Sequence, residues 1–140
     1  MKLVNHSFRG PLLLLLSAGS VHAQDWDCTK SGDLPQQGMN WCAYQDWQAA
    51  DRALNVAWGK VRKHMKGIDE TNREYYPDLA NGEESLLKAQ RAWIDYRDGH
   101  CEAEGAPFTG GSIQPLIINS CKASVTRERT EELLHLMEEY

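Results

Sequence analysis

No stretch of this 140-residue chain is apolar for long enough to cross a bilayer, which takes ~20 residues. The cysteines form no C-x-x-C pair and the histidines show no paired spacing, so a zinc site has no support in the pattern. A Ser nucleophile elbow and a phosphate loop are missing as well, and with them the usual signatures of acyl and phosphoryl transfer. The basic excess expected of a protein that binds nucleic acid or an anionic membrane is absent too.

What is there begins with an export signal. Lys2 and Arg9 give a positive start, Leu12 to Leu16 an apolar centre, and Val21-His22-Ala23 a small-x-small exit. This predicts a signal peptide over 1–23, with no cysteine at the cleavage point for a lipid anchor, and a single mature domain over 24–140. The product would be secreted, residing in the periplasm, with no membrane association after cleavage. The mature part carries 13 Lys+Arg against 20 Asp+Glu, a formal charge of −7 that favours a cationic partner if there is one.

All four cysteines, Cys28, Cys42, Cys101 and Cys121, fall in the mature part, and an even count in a small exported chain implies two disulfides. Cys28–Cys42 and Cys101–Cys121 would each close a short local loop. A crossed pairing such as Cys42 with Cys101 is also open, because a helical bundle would bring all four to one end.

The periodicity is helical throughout. Gln24 to Gly38, broken by Gly32, Pro35 and Gly38, reads as an arm. A first helix is predicted from an Asn40 cap, with Met39 stapled on Tyr44. Ala43, Trp47, Ala50, Leu54, Ala57, Val61 and Met65 form one stripe, and Gly67 suits the C′ position. Ile68 to Ala80 is acidic and interrupted by Pro77; either the first helix continues past Gly67 or a short helical turn forms near Asn72. A second helix should run from an Asn81 cap to between Cys101 and Gly105. The uncharged run Gly105 to Gly111 should not stay helical. Ser112 should cap a third helix whose inner face is Ile113, Leu116, Ile117, Ser120, Ala123, Leu134 and Met137. Its middle, Ser124 to Glu131, is so polar that Arg127 or Arg129 must meet a carboxylate or water. The fold class expected is all-α: an antiparallel three-helix up-down-up bundle with an N-terminal arm, stapled by two disulfides.

Several motifs carry a resemblance: Gln37-Gly38-Met39-Asn40-Trp41-Cys42-Ala43, Ala50-Asp51, Leu54-Asn55, Ala89-Gln90-x-Ala92-Trp93 and Tyr96-Arg97-Asp98. With Cys101, Gly110-Gly111-Ser112, Cys121, Thr126, Arg129 and Leu133, they make the chain resemble the lysozyme inhibitor LprI-like family of small exported bacterial proteins. That resemblance, together with the net charge and the neutral loop, implies an inhibitor of a cationic lysozyme that occludes the catalytic cleft. Phe108, Thr109 and Ser112 are the expected partner contacts. No catalytic residue, metal ligand or cofactor is expected: the acidic pairs Glu83-Glu84, Glu131-Glu132 and Glu138-Glu139 read as solvated surface. Gly110-Gly111-Ser112 reads as a plain cap before an anion site, and Arg97 as a buried structural pair. Two rivals remain: a cell-wall glycan-binding module using Trp26 and Trp41, and a structural envelope protein without inhibitory activity.

Overall fold

A computed structural model describes residues 25–138; the predicted signal peptide and the Glu138-Glu139 pair's second member lie outside them. Helix α1 spans Gln36–Asn72, α2 Gly82–Gly105 and α3 Gln114–His135, the all-α antiparallel bundle expected. The disulfides are Cys28–Cys42 and Cys101–Cys121, and the crossed alternative is not formed.

The arm is an irregular 3-10 segment, Cys28–Asp33, capped by Asp27, whose carboxylate accepts from the Thr29 amide and hydroxyl. The Thr29 hydroxyl bond first, and then its amide, hold the Asp27 carboxyl below its ordinary range. Trp26 folds back onto Gly38, where a Cβ would lie 2.9 Å from the indole ring. Gly38 is therefore part of a helix rather than a breaker, and its missing side chain makes room for the arm.

Helix α1 is longer than its pattern suggested, 37 residues or ~55 Å. It starts after Pro35 rather than at Asn40, and no side chain caps it. It also runs through Gly67 to Asn72, the first of the two alternatives for the acidic segment. The chain then turns sharply: the amides of Tyr75 and Tyr76 both reach the Asn72 carbonyl, and Pro77 opens a single 3-10 turn to Leu79.

Asn81 does precede α2, but its side chain caps nothing. The cap comes from α1: Asp69 accepts from the amides of Gly82 and Glu83, both at 2.8 Å. Those two bonds, Glu83's first, hold the buried Asp69 carboxyl below its ordinary range. Beside it, Arg62 Nε donates to Glu83 at 2.7 Å. The end of the bundle without disulfides is thus closed by a carboxylate and an ion pair.

The core is thin and layered. Towards the Asp69 end, Leu54, Val61, Leu86 and Leu133 form the apolar cluster, with Trp58, Met65, Trp93 and Met137 against it. Helix α3 shares its longest interface with α1. Its buried face is Cys121, Ala123, Thr126 and Leu133, with Ile113, Leu116 and Ile117 half-buried. Ser120 and Leu134 point outwards instead, Leu134 being 38% exposed against 0% for Leu133. Two adjacent leucines make the apolar stripe ambiguous by one residue, and the polar neighbours of α3 give no further guide to its rotation.

Candidate functional site

Between the apolar cluster and the disulfides lies a belt of cations and indoles. The Arg97 side chain, on α2, is nearly buried, with its guanidinium carbon 5.6 Å from the Trp47 ring and 5.2 Å from the Trp93 ring. Lys122 lies 5.1 Å from Trp47 and Arg129 6.0 Å from Trp93. Carboxylates balance them. Arg97 Nε donates to Asp98 at 2.9 Å and its Nη1 lies 3.5 Å from Asp51, while Lys122 Nζ is 3.5 Å from Asp98. Burial pushes the Asp98 carboxyl up, but the Arg97 hydrogen bond and the charges of Arg97 and Lys122 outweigh it and hold it low. Arg129 donates to Gln90 at 3.1 Å and to Glu132 at 2.9 Å, and Arg127 pairs with Asp46. The polar middle of α3 meets carboxylates, as its composition requires. Arg97 is the buried structural pair expected of it.

Above the belt, the Cys101–Cys121 bond ties the last turns of α2 to the start of α3. Gly105 lets the two helices close: a Cβ there would fall 2.5 Å from Ile118 Cγ1. The chain then makes one 3-10 turn, Ala106–Phe108, within the run expected to be free of helix. The turn is held by its own bonds. Thr109 donates from both its amide and its hydroxyl to the Ala106 carbonyl, Gly111 to that of Phe108, and Gly110 to Gln114 Oε1. Gly110 itself sits at φ +78, left-handed backbone that a side chain would strain.

The loop is also pinned from outside. Asn40 Nδ2 donates to the Ser112 carbonyl at 2.9 Å, and Gln36 Nε2 donates to Asn40 Oδ1 at 2.8 Å. Asn40 is thus a cross-helix clamp rather than an N-cap. Ser112 is no cap either, for α3 begins at Gln114 with Ile113 preceding it, and its first turn holds Pro115. Nothing in the sequence marks Asn40 as a clamp, since Asn before an apolar stripe reads first as a cap.

The structure gathers Phe108, Thr109 and Ser112 on one uncharged tip, all exposed, Phe108 at 39%. Around that tip the segments 25–46 and 98–122 carry seven carboxylates against two lysines, with Asp46 and Asp98 already paired to Arg127 and Arg97 of the belt. Trp26 and Trp41, expected as open platforms, are half-buried. His100 stacks on Tyr96, and His135 meets Glu138 at 2.6 Å. The one close group of potential metal ligands among the described residues joins His100 and Glu104 to Cys121, whose sulfur is already in a disulfide.

The family described as "Lysozyme inhibitor LprI" matches residues 28–133, from the first cysteine to the last buried leucine. This chain belongs to the LprI family. A Rhizobium meliloti (strain 1021) relative, "Uncharacterized protein R02472", is 42% identical over 128 residues, covering 90% of this chain and 91% of its own length. "Uncharacterized protein YecT" of Escherichia coli (strain K12) is 30% identical over 77 residues, covering 55% of this chain and 46% of its own. No solved structure matches it. The LprI family is named for inhibition rather than catalysis. Its match spans both disulfides, the indole–cation belt and the pinned loop.

Proposed function

We propose that this LprI-family chain is exported, cleaved near Ala23, and inhibits a cationic lysozyme in the periplasm by inserting its disulfide-stapled tip into the catalytic cleft. The carrying observation is the tip itself: a neutral, internally bonded loop with an exposed Phe108, surrounded by a marked excess of carboxylates. Those carboxylates would steer a cationic enzyme toward this end and raise the rate of encounter more than the affinity. The neutral loop would then enter a groove whose two carboxylates must stay accessible for glycoside hydrolysis. Because the loop is already ordered by the disulfide, Gly110 and Asn40, little conformational freedom would be lost on binding. Two disulfides, and no described helix long and apolar enough to cross a membrane, are in keeping with export.

The test is a cell-wall lysis assay with lysozyme and stoichiometric protein. Lysis should slow in proportion to added protein, and Phe108→Ala should weaken inhibition at least tenfold without lowering thermal stability. Unchanged lysis with the folded, oxidised protein rules the reading out. A deficit confined to Trp41→Ala moves the contact away from the loop.

A further inference from the structure

A groove of about 280 Å³ opens between α1 and α2, below the tip and on the flank of the belt. Its lining includes Asp51, Asn55 and Trp58 from α1, and Gln90, Trp93 and Arg97 from α2. We infer that this groove binds one ring of a neutral, hydroxyl-rich saccharide.

The chemistry of the lining narrows the ligand class. The Trp58 indole and the apolar side chains of Leu87 and Ile94 supply a wall for the C–H face of a ring, the Trp93 ring being overlaid by Arg97 and Arg129. Five of the ten lining side chains are polar or charged, interleaved with five apolar ones, a mixture that suits a hydroxylated ring better than a plain packing gap. Arg97 is 8% exposed, uses Nε on Asp98, and meets no acceptor closer than Asp51 at 3.5 Å through its Nη groups among the described residues. Gln90, also 8% exposed, gives its Oε1 to Arg129, which leaves its amide N–H groups as donors. Asp51 and the Asn55 side-chain carbonyl supply acceptors, with Asn55 Nδ2 fixed on Asp51 at 3.1 Å.

Charge excludes the other classes. An anion would face the Asp51 carboxylate, and the Arg97 charge is already balanced by Asp51 and Asp98. A cation would face Arg97 and, at the rim, Arg91. A purely apolar ligand would strip water from the Gln90 amide and the guanidinium without replacing its hydrogen bonds. The size sits just below the usual range of ligand pockets, ~300–1,000 Å³, and so admits a single pyranose with its neighbours outside. The site lies apart from the loop, and its test uses no lysozyme.

The experiment titrates the oxidised, full mature protein with tri-N-acetylchitotriose, following tryptophan fluorescence and the heat of binding. Trp58 and Trp93 report on occupancy directly. Saturable binding is expected, weakened at least tenfold by Asn55→Leu, which fills the groove from an exposed position, and unchanged by Trp41→Ala. Thermal melts should show Asn55→Leu folded as the wild type; Arg91→Leu at the rim is the second variant, expected to weaken binding severalfold. Absence of saturable binding overturns the proposal. So does binding that survives both groove variants, or a galacturonate trimer that binds more tightly than the neutral sugar.

Discussion

Asn40 and Asp69 each serve an element other than their own. Asn40 lies one turn inside α1 yet holds the loop before α3. Asn40→Ala removes two hydrogen bonds, to the Ser112 carbonyl and from Gln36, so stability should fall by ~1–2 kcal/mol in denaturant titration. If the tip is the inhibitory surface, the same change should weaken inhibition severalfold, because the loop would then be ordered only on binding. Asp69 caps α2 from the last turns of α1, and its carboxyl is held low by two amides. A depressed carboxyl contributes stability above its unfolded pKa of ~3.9 and loses it as pH falls through the lower folded value. Asp69→Asn should therefore lower the melting temperature at pH 7, with the gap to wild type closing below about pH 4. A gap independent of pH would mean that the side chain acts by shape rather than by charge.

At the scale of the helix, Leu133 and Leu134 separate two rotations of α3. Leu133→Ala should cost ~2–5 kcal/mol, as for other fully buried leucines, whereas Leu134→Ala should cost under ~1 kcal/mol. Gly67 makes a second test. It lies inside α1, and a Cβ added there would have nothing within 4 Å, so Gly67→Ala should raise stability by ~0.5–1 kcal/mol. At a helix C′ position the same change would lower it. The long stripe from Ala43 to Met65 was legible because it repeats over many turns and needs no partner to interpret. The ends of α1 were not: Gly67 and Asn40 are both good terminators, and only contacts to the arm, to Gly82 and to Ser112 decide otherwise. The neutral tip and the buried Arg97 could be read from composition, whereas spacing favoured the local cysteine pairs but left Cys42 with Cys101 open until the packing decided it. The groove between α1 and α2 could not, because its residues alternate between two distant segments and only the packing of the helices brings them together.

For the whole molecule, charge and covalent bonds are both concentrated at the tip. If steering contributes to inhibition, raising salt from about 50 to about 500 mM should slow association much more than dissociation, since the Debye length shrinks from ~14 to ~4 Å. The two disulfides should separate in effect. Replacing Cys28 and Cys42 by Ser should free the arm and leave the helices folded. Replacing Cys101 and Cys121 by Ser should cost ~3 kcal/mol and, if the tip is the inhibitory surface, weaken inhibition by loosening the loop. Calorimetry paired with the lysis assay reads both.

Since sulfur fastens one extremity of the rod and the Asp69 carboxylate fastens the other, the two extremities answer to different chemical stresses. A reductant should loosen the end held by Cys101–Cys121 while the Asp69 cap stays shut, and acid below about pH 4 should open the Asp69 and Asp27 caps while both disulfides stay closed. In oxidising acid the covalent staple would therefore outlast every carboxylate cap, and the start of α2 would fray before the join between α2 and α3 comes apart.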